Sequence, residues 1–231
     1  MANLVQLKML EDLDGFLLVD KPENINFSAV VKSVKRKFNL VKVGHGGSLD
    51  AMASGLMVLM INDANKFTDR VMGADREYEF SLDFTRATDT GDRNGRAVEP
   101  SVRMTPEALL KEFKGDVFQC EPRFAAIRKD GSADYEIVDT GEHSQTLSHV
   151  YRMEKMEGIG GGGQGSDFRL VATKGFLPRA MAFDAGVTLT RLRRTRQWKF
   201  DVAQAVPFAK LLEAEIGEFA SFVTSIGEAL R

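Results

Sequence analysis

The sequence predicts an α+β fold on three observations. From Arg76 to Phe84 the residues alternate, with Tyr78, Phe80, Leu82 and Phe84 on one face, the period of a half-buried strand. After Ser28, Val30, Val31, Val34 and Phe38 recur at helical spacing with lysines and Arg36 on the other side. A length of 231 residues with 43% hydrophobic residues supports one sizeable core, and with no internal repeat or clear linker one domain is expected.

The remaining elements follow along the chain. Asp14 to Asp20 is a short apolar run closed by Lys21-Pro22, a strand that stops where proline removes the next ladder donor. A glycine-rich turn at Gly44, Gly46 and Gly47 leads into a small-residue segment and then an apolar one ending at Ile61. Ala64 to Met72 is expected to be helical, and after the loop RATDTGDRNG, Arg96 to Val98 is expected to pair back onto the strand before it. Thr105-Pro106 starts a helix, with Thr105 as N-cap and proline where its missing N–H costs nothing. Residues 119–141 are rich in turn signals. Ser148 to Glu157 and Phe168 to Thr173 read as strands joined by GIGGGGQG, which lacks the strand, Lys and Ser/Thr context of a phosphate loop. From Pro207, apolar residues three or four apart predict an amphipathic C-terminal helix over 207–231, interrupted at Gly217 and packed on the body.

Composition excludes several function classes. The longest nearly apolar run, Ala51 to Ile61, is far shorter than the roughly 18 residues of a membrane helix, so no membrane partner is expected. The N-terminus lacks the layout of a secretion signal, and one cysteine, Cys120, cannot form an internal disulfide, the usage of a reducing, cytoplasmic setting. The net charge of −2 argues against a nucleic-acid partner until its distribution is read. Residues 24–49 and 168–200 together hold thirteen basic residues and one acid, leaving 18 basic and 32 acidic residues elsewhere. Such segregation makes either a basic face for phosphates or ordinary solvated helix surfaces.

Motifs for cofactor or metal chemistry are missing. His45, His143 and His149 lack paired-ligand spacing, and neither G-x-S-x-G nor a strand-linked G-x-G-x-x-G is present, so no metal and no nucleotide cofactor is expected. What remains is Gly44 to Gly55, GHGGSLDAMASG, where glycines let another molecule approach closely and Asp50 precedes an apolar segment. An aspartate there is either a turn or cap residue, or a partly desolvated carboxylate suited to nucleophilic or base chemistry. Local chemistry alone leaves both readings open.

The motifs GFLLVDKP, GHGGSLDAMASGLMVL, ADREYEF, ATDTGDRNG, QCEPRFAAIRKDGSADYE, ATKGFLPR and LRRT stand in the order found in the TruB family of tRNA pseudouridine synthases. The chain resembles that family from about Gly15 to Phe200. The resemblance implies a pseudouridine synthase fold over residues 1–206, with a mixed, mostly antiparallel central sheet flanked by helices and loops. It implies a cofactor-independent monomer that isomerises uridine in RNA, with the tRNA T-arm as partner and uridine 55 as target.

By the same resemblance Asp50 is the catalytic carboxylate, Arg179 its partner, and Tyr78 the residue whose ring packs on the flipped uracil. His45 shapes the loop and contacts substrate, Asp92 borders the site, Leu192 lines the uracil pocket, and residues 119–136 engage the RNA arm. The chemistry is consistent with these roles, since a flipped base needs an aromatic platform and a carboxylate kept ionised by an arginine. Without the resemblance Tyr78 and Leu192 would read as core residues, and Arg179 as a surface base. Lys32, Lys35, Arg36, Lys42, Arg191, Arg193 and Arg194 are the expected contacts to the RNA backbone.

The chain departs from the family pattern at the pocket rim. Leu177 stands where the family has a tyrosine, at a substrate-binding position, and Pro178 fixes φ just before Arg179. The segment from Gly186 to Leu192 is shorter than usual, Asp139 replaces an arginine, and no PUA-like domain is expected after the last motif. These departures define a rival reading, an RNA-binding or RNA-chaperone relative of the same fold with weak or altered isomerase activity.

Overall fold

The computed structural model describes residue 10 and residues 12–120, 148–161 and 165–231. In chain order its strands are β1 (Gly15–Lys21), β2 (Val43–His45), β3 (Ser54–Ile61), β4 (Arg76–Asp83), β5 (Ala87–Thr88), β6 (Ala97–Val98), β7 (Gly115–Cys120), β8 (Ser148–Gly160), β9 (Gly165–Ala172), β10 (Thr188–Gln197), β11 (Phe200–Asp201), β12 (Val206–Pro207) and β13 (Val223–Ser225). The chain divides into two compact units, Met1–Glu79 with Leu192–Arg231, and Phe80–Arg191. The division falls inside β4 and β10, where apolar periodicity runs on unbroken and gives no boundary signal.

The first unit is organised on β3, the apolar run of the sequence, which is buried from Gly55 to Ile61. β3 pairs antiparallel with β1 from Gly15↔Ile61 to Lys21↔Gly55, parallel with β10 at Arg193↔Ser54 and Arg194↔Gly55, and antiparallel with β2. Phe16, Leu18, Leu56, Val58, Met60, Val71 and Phe200 form the core beside this sheet. The helix Phe27–Lys37 buries Val30 and Val34, and Lys35, Arg36 and Lys37 in its last turn suit the negative end of the helix dipole. The segment expected as a helix over 64–72 is a 3₁₀ turn, Asn62–Phe67, followed by an α-helix, Thr68–Gly73.

The expected single C-terminal helix is corrected. Residues 208–230 form short helices at Phe208–Glu213, Ile216–Phe219 and Ile226–Leu230, with strand β13 between the last two. β13 pairs antiparallel with β1, while β12 pairs parallel with the far end of β1, so the tail closes one sheet edge. Phe219 remains a core residue, stacked on Phe38 with ring centroids 4.0 Å apart.

In the second unit the sheet runs from β10 through β4, β9 and β8 to β7. Phe80 of β4 stacks on Phe168 of β9 at 5.4 Å. β6 pairs with β5, not with β4 as expected, because the loop folds back locally at Ala87↔Val98 and Thr88↔Ala97. Thr105 caps the helix Pro106–Glu112, its Oγ1 accepting from the Ala108 N–H at 3.2 Å.

Candidate active site

The glycine loop between β2 and β3 is gripped by buried polar side chains. Arg76 Nη2 and Gln197 Nε2 both donate to the Gly46 carbonyl, Arg194 Nη1 to that of Ser48 at 3.1 Å, and Lys21 Nζ to that of Ala51 at 3.2 Å. Four side chains from three strands thus fix the backbone on both sides of Asp50. His45 contributes locally: its Nδ1 accepts from the Gly47 N–H at 3.2 Å, and its ring meets Phe27 edge-on at 5.1 Å. The Asp50 carboxylate itself is exposed. The expected desolvation of that group is corrected, because Asp50 stands on a turn ahead of the apolar strand and not inside it.

β10 sorts its arginines by alternation, and the sorting corrects one predicted role. Leu192 and Arg194 point inward and Arg193 points the other way. Arg194 is 1% exposed, its Nε donating to the Leu56 carbonyl at 2.7 Å, so it is unavailable to an RNA backbone. Burial pushes its guanidinium below the ordinary range, Tyr78 beside it opposes that shift and Arg76 adds to it. Arg193 is tied bidentately to Asp20 at 3.0 and 2.8 Å, which offsets its charge locally. Arg191 is exposed, with Nε on Ser81 Oγ at 3.1 Å and Nη2 3.9 Å from Asp167. Tyr78 is 6% exposed, and Leu192 is buried. The guanidinium of Arg194 lies beside Tyr78.

Arg179 belongs to the second unit, at the second position of the helix Pro178–Asp184. Its Nε lies 3.9 Å from Asp92 Oδ2. Asp92 is buried and held in turn, its Oδ1 accepting from the Asn94 N–H at 2.8 Å and from Thr90 Oγ1 at 3.1 Å. Gly91 reaches φ +74°, and a Cβ there would meet the Arg179 carbonyl at 2.5 Å, so the TDTGD loop packs directly on the arginine's backbone. Leu177 is half-buried and stands at the N-cap position of the same helix.

Sequence reasoning missed Lys21, which it read only as the end of a strand. The residue is 0% exposed, its ammonium bonded to the Pro22 carbonyl at 2.8 Å as well as to that of Ala51. Burial lowers its pKa to about 8, against the pull of Asp50 and then Glu23, with Arg194 adding to the lowering. Between about pH 8 and 10.5 the unfolded chain holds a proton that the folded chain has released, so stability rises with pH across that window. We expect denaturant melts to show the wild type gaining roughly 1 to 3 kcal/mol relative to Lys21→Met over that range, and parallel pH curves for the two proteins would show the assignment to be wrong.

Lys32, Lys35, Arg36 and Lys42 are exposed, the first three at i, i+3 and i+4 on one face of their helix. Among the described residues no three His, Cys, Asp or Glu side chains gather as a metal site, and no helix is long and apolar enough to cross a membrane. The RNA-arm segment predicted over 119–136, and the turn-rich stretch to 141 that contains it, lie outside the described residues from position 121 onward.

Comparison with known proteins gives a consistent picture. Residues 35–176 match the profile of the TruB family pseudouridylate synthase (N terminal domain). The chain is 35% identical over 209 residues to tRNA pseudouridine synthase B of Azoarcus sp. (strain BH72), covering 86% of this chain and 70% of that relative. It is 34% identical over 207 residues to tRNA pseudouridine synthase B of Opitutus terrae, covering 85% and 86%. Among solved structures it resembles one chain of a Cbf5-Nop10-Gar1 complex with a TM-score of 0.69 at 20% identity, covering 96% of this chain and 63% of that one. It also resembles a chain of an H/ACA RNP bound to a substrate RNA containing 2′-deoxyuridine, with a TM-score of 0.64 at 18% identity, covering 94% and 58%. At those identities the structures attest the fold alone. Sequence and fold agree, and the chain belongs to the TruB family of pseudouridylate synthases.

Proposed function

We propose that the chain converts uridine 55 of the tRNA T-loop to pseudouridine, as a cytoplasmic monomer without a cofactor, using Asp50 as the catalytic carboxylate. The observation that carries this reading is the loop around Asp50: its carbonyls at Gly46, Ser48 and Ala51 are held by buried side chains, and Asp50 is an exposed residue on the loop so fixed. A carboxylate held at fixed geometry meets the positional demand of a reaction on an extruded nucleotide. The isomerisation breaks the N1–C1′ bond of the nucleoside and forms C5–C1′, N1 gains a proton and C5 loses one, so neither redox partner nor external group is consumed. Arg194 and Tyr78 form the inner wall behind the loop, and the family resemblance, not a placement relative to Asp50, assigns Arg179, which lies beside Asp92, as the cation of the reaction. The names of the curated relatives support tRNA as the substrate.

The test uses T-arm RNA tritiated at uridine C5, since loss of the C5 hydrogen accompanies every turnover. Release of one tritium per RNA supports the reading, and RNA binding without release overturns it. Phosphate contact is tested separately on the helix Phe27–Lys37. Lys32→Ala with Arg36→Ala is expected to lower the slope of log affinity against log salt by about 2, roughly one per lost contact. An unchanged slope would move the RNA path elsewhere.

A further inference from the structure

Gln119 is 1% exposed at the end of β7, so it is a buried residue and not part of an RNA-contacting surface. Its side-chain amide engages both backbone groups of one residue: Oε1 accepts from the Leu177 N–H at 3.1 Å, and Nε2 donates to the Leu177 carbonyl at 3.2 Å. An amide used in this way imitates a neighbouring strand. Leu177 has no side-chain cap to offer the helix that follows it, and Pro178 has no N–H, so the Leu177 N–H is the last backbone donor before Arg179. One residue later, Arg179 meets Asp92 on its side chain and Gly91 on its carbonyl. The backbone that carries Arg179 is therefore fixed from two sides, by Gln119 before it and by the TDTGD loop beside it.

We propose that Gln119 is a positioning residue that sets the placement of Arg179 by clamping the Leu177 peptide groups, a reading that rests on the assignment of Arg179 to the reaction. Losing the clamp frees the entry to a helix only seven residues long and lets the guanidinium move by a fraction of an ångström to an ångström. Displacements of that size cost about 100-fold in rate when the displaced group acts on the reacting centre.

The experiment is a double-mutant cycle on single-turnover tritium release from T-arm RNA, with RNA affinity measured alongside. Gln119→Met, close in shape and lacking both hydrogen bonds, is expected to slow release about 10- to 100-fold, with affinity changed by less than about 2-fold. In an Arg179→Lys background the same change is expected to cost less than about 2-fold, because the geometry it protects is already lost. Gln119→Glu, which keeps the acceptor for the Leu177 N–H, is expected to fall between wild type and Gln119→Met, and it carries the comparison if the Met variant does not fold. Equal losses in both backgrounds, or a loss confined to RNA affinity, would overturn the positioning role. Full activity of Arg179→Lys and of Arg179→Met would instead remove Arg179 from the reaction, a separate failure.

Discussion

Asp50→Asn is expected to abolish tritium release, a fall of at least about 10⁴-fold, while leaving RNA affinity nearly unchanged and lowering stability modestly, because the buried Lys21 ammonium loses the attraction of the Asp50 charge. Asparagine keeps the shape of the side chain and loses the charge that a nucleophile or base requires. The residue is exposed, and its backbone carbonyl accepts from the Ala53 N–H at 3.1 Å, a bond that the substitution preserves. The side chains that hold the loop bond to the carbonyls of Gly46, Ser48 and Ala51, none of which changes. Melting temperature and the dissociation constant for T-arm RNA are the controls: the first should fall by only a few degrees, from the lost attraction to Lys21, and the second should match wild type. Activity within tenfold of wild type would remove Asp50 from the chemistry and leave the glycine loop as a structural turn.

The glycine loop was legible because its signal is local: three glycines in four residues, then an acid, then an apolar run. The grip on the loop was not legible. Lys21, Arg76, Arg194 and Gln197 come from strands far apart in sequence, and nothing near any one of them states what it will face. Arg194 is the instructive case. Read as part of LRRT it joins a basic stretch, yet the two-residue period from Leu192 already places it on the inward face of β10. Applying the strand period to charged residues as well as apolar ones would have separated Arg194 from Arg193. Gln119 carries no such signal, since its partner is a backbone amide 58 residues away.

The same contrast holds for the fold. β1, β3 and β4 were readable from apolar runs and alternation, because a strand buried on one or both faces writes its environment into its own sequence. The C-terminal segment misled for a physical reason: successive short helices keep apolar residues three or four apart just as one long helix does. What distinguishes them is the pairing of β13 with β1, a tertiary hydrogen-bond pattern with no local mark.

Gly55→Ala is expected to destabilise the protein by about 4 kcal/mol and lower its melting temperature by about 10 °C. Gly55 has φ +106°, a conformation that L side chains rarely adopt, which alone costs about 1 to 2 kcal/mol. A Cβ there would collide with the carbonyl oxygen of Arg194 and lie 2.8 Å from its nitrogen. Those atoms belong to the parallel Gly55↔Arg194 pair of β3 and β10, so the strain can be relieved only by parting the strands. Parting them draws the Arg194 guanidinium away from the Leu56 and Ser48 carbonyls and leaves buried acceptors unpaired. The damage therefore reaches the Asp50 loop as well as the sheet, and the fraction that still folds should turn over about 100-fold more slowly. Gly227→Ala is the matched control, because a Cβ there meets nothing within 4 Å and the site lies in the helix Ile226–Leu230, where alanine is favoured by about 0.5 to 1 kcal/mol. If the two variants melt within 2 °C of each other, the close approach of β3 to β10 is not what holds the catalytic loop.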